Sequence, residues 1–213
     1  MLQAQINPHF LFNVLNSIRM KVLMKRDHES AEMIGSLSKL LRMTIDKNKG
    51  MVMFHEEVEI NRDYVRLMNM RQKQTVDLQV DVSPDTYLIK IPRLILQPII
   101  ENAMIHGLSQ KAGIIKINAR IEANTLFVEV RDNGIGMNPS QLNEVRDKLS
   151  ESTVNENEST TKDQAFSSIG LSNVYERMKL TFGPRFTMNI ESSPGNGTVV
   201  SMHIPIERSA ENV

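Results

Sequence analysis

The sequence predicts an α+β protein of two modules, a helical stretch over residues 1–73 and a sheet with helices on one face over residues 74–213. Apolar residues in the first stretch recur at helical spacing with almost no glycine. From Val76 onward the rhythm changes to alternation, and the charge balance shifts from 12 Lys/Arg against 8 Asp/Glu in the first stretch to 13 against 17 in the rest. A length of 213 residues suits one or two domains, and 40% hydrophobic with 23% charged residues is globular composition.

Leu11, Val14, Leu15, Ile18 and Val22 share one helix face. Lys25, Arg26 and Asp27 form a short link with Asp27 as N-cap, and Met33, Ile34, Leu37, Leu40, Leu41, Thr44 and Ile45 mark a second helix. So short a link makes the pair antiparallel, and a lone hairpin leaves its wide apolar stripe in water. A homodimeric four-helix bundle is the expected completion. A third helix, from about Glu56 to Arg71, has acids in its first turns, which suits the positive end of its dipole. Two strands around Ser83-Pro84 follow (Val76 to Val82 and Tyr87 to Ile91), then a helix from about Pro98 to His106. A strand pair, Ile114 to Ile121 and Leu126 to Arg131, runs into Asp132-Asn133-Gly134-Ile135-Gly136. Residues 150–168 are polar and low in complexity, a mobile surface segment of the kind that often serves as a lid. A helix from about Leu171 to Phe182 and strands Phe186 to Ile190 and Thr198 to Ile204 complete the module.

Several function classes are excluded or disfavoured. Twenty-five basic and 25 acidic side chains leave no basic field for nucleic acid or anionic lipid. Zero Cys removes disulfides, thiolate catalysis and Cys-ligated zinc. No apolar run reaches the ~20 residues that cross a bilayer. The zinc-protease pattern fails at Glu59, and P-loop, dinucleotide and nucleophile-elbow motifs are missing.

A series of short motifs remains. On a helical wheel Asn13 and Asn16 lie within about 40° of His9, while the apolar face centres near 190°, so His9 points outward. A lone outward histidine is usually only a surface residue; its setting in Asn7-Pro8-His9-Phe10-Leu11-Phe12-Asn13 sets this one apart. In Gln97-Pro98-Ile99-Ile100-Glu101-Asn102-Ala103-Met104-Ile105-His106-Gly107, Asn102 and His106 are one turn apart beside Glu101. Asp132, Gly134 and Gly136 put an acid at a strand end before two glycines, which let a backbone approach a flat ligand. Gly170 and Leu171 open a helix whose N-terminal N–H groups can receive phosphate oxygens. Gly195, Gly197 and Thr198 enter the last strand through a tight turn.

Together these motifs resemble the cytoplasmic part of a bacterial two-component sensor histidine kinase, of the LytS/YesM-like group whose phosphoacceptor motif reads N-P-H-F-L-F-N. The resemblance covers essentially the whole chain. It implies a helical hairpin dimerisation domain over residues 1–73 and a Bergerat-type (GHKL) α/β sandwich ATP-binding domain over residues 74–213. It also implies ATP and Mg²⁺ as cofactors, a homodimer, and a response-regulator receiver domain as partner. By position, His9 is then the phosphoacceptor; Glu101, Asn102 and His106 form the metal and phosphate motif, with Asn102 the metal ligand. Asp132, Gly134 and Gly136 form the adenine motif, Gly170 and Leu171 the lid-end motif, and Gly195, Gly197 and Thr198 the final nucleotide motif.

Phosphoryl transfer to imidazole needs an unprotonated ring nitrogen, which an ordinary histidine supplies at pH 7. Phe10 follows His9 where many histidine kinases carry an acid, so the ring must be oriented by Asn13, one turn later, or by Glu101 from the second module. Ser168 stands where related sequences usually have Gly, and a left-handed backbone there would be strained. Two rival functions share these residues: a Bergerat-fold ATPase or serine kinase, and a non-catalytic dimeric nucleotide-binding scaffold. Only eight residues precede His9. The expected parent is longer, with sensory and transmembrane segments upstream, so that this fragment is cytoplasmic and meets the membrane only through segments missing from it.

Overall fold

The computed structural model describes residues 8–45, 50–71, 74–109, 111–151 and 162–206. Helix α1 (Pro8–Met24) and helix α2 (His28–Ile45) form the expected hairpin. Asp27 caps α2, its carboxylate accepting the Ser30 N–H at 3.0 Å, and Arg26 takes the left-handed φ of 61° that reverses the chain. No side chain of α1 is buried: Val14 and Ile18 remain 37% and 44% exposed, and Leu37 of α2 41%. The apolar stripe is therefore unfilled within one chain.

Strand β1 (Met51–Met53) leads directly into helix α3 (Phe54–Arg71). Strand β2 (Val76–Val82) follows, held at its first residue by Asn69, whose amide donates to the Val76 carbonyl and whose oxygen accepts the Val76 N–H. Beyond β2 the structure departs from the expected strand pair. Ser83 and Pro84 open a 3₁₀ turn, in which the Ser83 carbonyl accepts the Thr86 N–H and hydroxyl, and Tyr87 and Leu88 lie exposed. Only Lys90–Pro92 is strand (β3), and it pairs antiparallel with β1 instead of returning along β2.

Helix α4 (Gln97–Asn102) continues as a π-helical turn, Ala103–Gly107. Strands β4 (Gly113–Glu122) and β5 (Thr125–Asp132) form a hairpin turned by Ala123 at φ 52°. Helix α5 (Pro139–Glu151) and helix α6 (Lys162–Phe182) follow, then β6 (Thr187–Ser192) and β7 (Thr198–Pro205). The five-stranded sheet runs β2-β4-β5-β7-β6, with β2 parallel to β4 and all other neighbours antiparallel.

Alternation sets the core. Ile115, Ile117 and Ala119 of β4, Leu126, Val128 and Val130 of β5, and Val200, Met202 and Ile204 of β7 face the helices and are buried. Against them pack Val58 and Val65 of α3, Ile99 and Ile100 of α4, and Leu171, Val174 and Met178 of α6. Each fully buried aliphatic side chain contributes about 1.5–3 kcal/mol.

Two further differences concern the expected lid. Residues 152–161 of the polar segment lie outside the described residues, but its end is helical: α6 starts at Lys162, not near Leu171, so Ser168 has helical backbone and the left-handed strain foreseen there does not arise. No Gly or Pro interrupts residues 162–169, so nothing stops the helix from extending backward. Helix α5 was not foreseen at all.

Candidate functional site

The core-facing alternation of β5 places Leu126, Val128 and Val130 inward, and the next inward position is Asp132. A carboxylate there occupies a core position at the strand's open end and is only 5% exposed. Its Oδ1 accepts the Gly134 N–H at 2.7 Å. Burial pushes the Asp132 carboxyl above the usual aspartate range, against the N–H groups of Gly134 and Thr198 that favour the ionised form.

Around this acid three loops are joined through backbone. The Gly107 carbonyl accepts the Ile135 N–H at 3.0 Å, and the Ile135 carbonyl accepts the Gly195 N–H at 2.6 Å. The glycines are required by proximity. Gly197 has φ 73°, and a Cβ there would lie 2.0 Å from the Asp132 carbonyl oxygen; Gly136 has φ 68°, and its Cβ would lie 2.0 Å from the Ser193 oxygen. Ser192 closes the arrangement: its hydroxyl donates to the Gly197 carbonyl at 2.8 Å and accepts the Met137 N–H at 2.9 Å.

The result is a cavity of about 270 Å³ with Asp132 on its wall. Of the residues singled out from sequence, Asn102, His106, Asp132, Gly136, Leu171 and Thr198 line it. Asn102 and His106 arrive there although their helix widens: the Leu108 N–H bonds to the Ala103 carbonyl at 2.8 Å, a five-residue step. Such π turns concentrate at functional sites. Gly134, Gly195 and Gly197 shape the neighbouring backbone without lining the cavity. Gly170 does not open a helix: it lies inside α6, where its missing Cβ would stand 3.4 Å from Pro98 Cβ and so sets the approach of α6 to α4. Glu101 is half-buried and not among the lining residues.

His9 and Asn13 stand elsewhere, on the exposed side of α1, with the Asn13 amide nitrogen 3.3 Å from His9 Nδ1. Within this chain the imidazole does not line the cavity.

Gln141, Glu144, Val145 and Lys148 of α5 line the cavity too and were missed. Their signal was present: Asn138 and Gln141 exchange backbone-to-side-chain hydrogen bonds at 2.9 and 3.0 Å, a capping-box arrangement, ahead of Pro139 at the first turn and Leu142, Val145 and Leu149 at helical spacing. Among the described residues, Lys148 is the one Lys or Arg that lines the cavity.

Residues 1–76 match the family described as "Histidine kinase", and residues 89–208 match that described as "Histidine kinase-, DNA gyrase B-, and HSP90-like ATPase". The chain belongs to the sensor histidine kinases. Sensor histidine kinase YesM of Bacillus subtilis (strain 168) is 33% identical over 206 residues, which cover 96% of this chain and 32% of that protein. Sensor protein kinase HptS of Staphylococcus aureus (strain USA300) is 29% identical over 212 residues, 100% of this chain and 39% of that protein. The chain thus spans about a third of the length of the curated relatives it matches. Among solved structures, the histidine kinase domain of the Erythrobacter litoralis blue-light activated histidine kinase superposes with TM-score 0.51 at 16% identity, covering 93% of this chain and 94% of that one. The mycobacterial sensor histidine kinase MprB gives TM-score 0.51 at 16% identity over 73% of this chain and 95% of that one. At those identities the likeness is one of fold, and it is the histidine kinase fold: a helical N-terminal part followed by an α/β sandwich.

Proposed function

We propose that this histidine kinase chain is an ATP-dependent protein-histidine autokinase, transferring the γ-phosphoryl group to His9 and then to an aspartate of a response-regulator receiver domain. The observation that carries it is the buried Asp132 on the wall of an otherwise largely apolar cavity, in a chain that also displays an outward histidine. A flat apolar base enters such a cavity, and its exocyclic amino group donates to the Asp132 carboxylate, which gives base selectivity through an otherwise under-satisfied buried charge. Gly134, Gly136, Gly195 and Gly197 keep the walls close to the base, and Leu171 and Thr198 complete them.

Asn102 supplies an amide oxygen beside His106 and Glu101, and a single protein oxygen suits Mg²⁺, which retains waters and takes phosphate oxygens. When bound, that ion neutralises charge on the triphosphate. Residues 1–73 are assigned to dimerisation and phosphotransfer and residues 74–213 to ATP binding, with α3 touching both. The exposed apolar residues of α1 and α2 support a homodimer, and a dimer gives His9 a second cavity to meet.

Asn13 is assigned as the group that orients the ring. With its amide turned over, Oδ1 accepts from Nδ1–H and leaves the Nε2 lone pair for in-line attack on the γ-phosphorus, with ADP departing. No described helix is long and apolar enough to cross a membrane. Incubation with γ-labelled ATP and magnesium is expected to give acid-labile, base-stable phosphoprotein, lost in His9→Gln and in Asn102→Ala. Acid-stable label, or label retained by His9→Gln, overturns the assignment.

A further inference from the structure

Outside the cavity one buried cluster has no part in nucleotide contact. Glu57 of α3 is completely buried, its Oε2 accepting the Leu94 N–H at 2.8 Å and its Oε1 the Leu96 N–H at 2.9 Å. From the opposite side Arg177 of α6 donates Nη2–H to the Leu94 carbonyl at 2.8 Å. Two charged side chains from two helices therefore hold both polar groups of one residue. Leu94 itself has φ 55°, a left-handed conformation that a branched side chain adopts only when its surroundings enforce it.

We propose that Glu57 and Arg177 are positioning residues for the nucleotide cavity: through Leu94 they set the start of α4 against α6, and so bring Asn102 and Leu171 into one site. This rests on the nucleotide reading given above.

The connections outward support it. Leu96 directly precedes α4, the helix that ends in Asn102. Arg177 lies on the helix that carries Gly170 and Leu171, and Gly170 lets that helix close on Pro98 of α4. Arg93, the neighbour of Leu94, donates to the Met43 carbonyl of α2 at 2.6 Å. Glu57 shares α3 with Asp63, which accepts from Ser36 and Lys39 of α2, and with Arg66, which pairs with Glu32. The segment 93–96 is thus where the hairpin, α3, α4 and α6 are tied together by polar contacts. Removing Arg177 leaves Glu57 buried beside strained backbone, and removing Glu57 leaves the half-buried Arg177 without its acidic neighbour.

The full chain tests this with Glu57→Gln, Arg177→Met and Arg177→Lys, read by calorimetric ATP titration, by KM and kcat of autophosphorylation, and by thermal melting. Glu57→Gln and Arg177→Met are expected to raise Kd and KM for ATP about 10- to 100-fold at temperatures where melting shows the fold intact, as for small displacements of a positioned group. Arg177→Lys, which keeps the charge, recovers part of that loss. Variants that melt lower but keep wild-type Kd, KM and kcat have lost stability alone and overturn the proposal; should Glu57→Gln fail to fold, the two Arg177 variants decide by the same criterion. Wild type that binds no ATP defeats the nucleotide reading and the proposal together. Wild type that binds it beside variants of unaltered affinity defeats the proposal alone.

Discussion

The helical hairpin and the sheet module solve the burial problem in opposite ways. Helices α1 and α2 bury only Ala31 and Ser36 among their described side chains, whereas β4, β5 and β7 each present an unbroken buried row to α3, α4 and α6. Both regions carry apolar stripes in sequence, at helical spacing in the hairpin and by alternation in the sheet. The sheet module folds its stripe onto itself, while the hairpin leaves Val14, Ile18 and Leu37 of its stripe exposed. The difference teaches that the sheet module closes its core within one chain, whereas the half bearing His9 leaves apolar surface that the proposed dimer would cover.

The largest expected effect tests that contrast directly. Ile100→Ala, at a fully buried position, is expected to cost about 2–5 kcal/mol of unfolding free energy in urea titration, by lost transfer energy and a residual cavity. Ile18→Ala on α1 is expected to change monomer unfolding by less than about 0.5 kcal/mol, as for surface positions. It instead shifts the monomer–dimer equilibrium in sedimentation. If the two substitutions behave alike, the contrast between the halves is lost.

A smaller effect separates stability from function within the sheet module. Burial raises the Asp132 carboxyl above its ordinary 3.8, so the native state holds its proton where the unfolded chain has released it. Stability contributed by this group therefore falls as pH rises from 3.8 through the raised value, and levels off above it. Asp132→Asn removes that dependence. In urea titrations across acid to neutral pH, without nucleotide, the variant is expected to gain on wild type as pH rises through that window while losing ATP affinity. A gap that is independent of pH would show that the carboxylate is not destabilised by its site. On the proposed nucleotide reading, the cost that burial imposes on the fold is the feature that makes Asp132 selective toward a donor on the ligand.

Much of this was legible in the sequence because the patterns are local. Alternation marked β2, apolar runs marked β4, β5 and β7, Asp27 marked the α2 cap, and the motifs that resemble those of histidine kinases picked out Asn102, His106, Asp132, Gly136, Leu171 and Thr198, which meet in the cavity. What escaped depends on distant partners. Strand β3 follows β1 across the chain instead of its neighbour β2, a choice made by tertiary contact and not by the residues of either strand. The left-handed Leu94 has no turn residue to announce it, because Glu57 and Arg177, remote in sequence, hold it there. Ser192 reads as an ordinary strand residue until its hydroxyl is seen between Gly197 and Met137. Helix α5 is different: its Asn138–Gln141 cap and apolar spacing were readable and lay hidden in a polar stretch.

The smallest effect lies at the seam between the two regions. Arg66 of α3 pairs with Glu32 of α2, and Lys39 of α2 lies 3.0 Å from Asp63 of α3. The Arg66 and Glu32 side chains are 57% and 55% exposed, so each keeps most of its hydration and gains little from the other in stability. A double-mutant cycle of Glu32→Gln and Arg66→Gln is expected to give a coupling of about 0.2–1 kcal/mol that fades as salt is raised. The Lys39–Asp63 pair is the useful control, because the Asp63 side chain is only 20% exposed and accepts from the buried Ser36 hydroxyl at 3.1 Å. Its coupling is expected to be larger and less sensitive to salt, since a carboxylate shielded from water is screened less. If both couplings vanish together in high salt, the two ion pairs behave alike as surface charge, and the Arg93 bond to the Met43 carbonyl is left as the polar tie from α2 to the segment before α4. If the Asp63 coupling persists while that of Arg66 with Glu32 fades, the shielded Lys39–Asp63–Ser36 group is the stronger tie between α2 and α3.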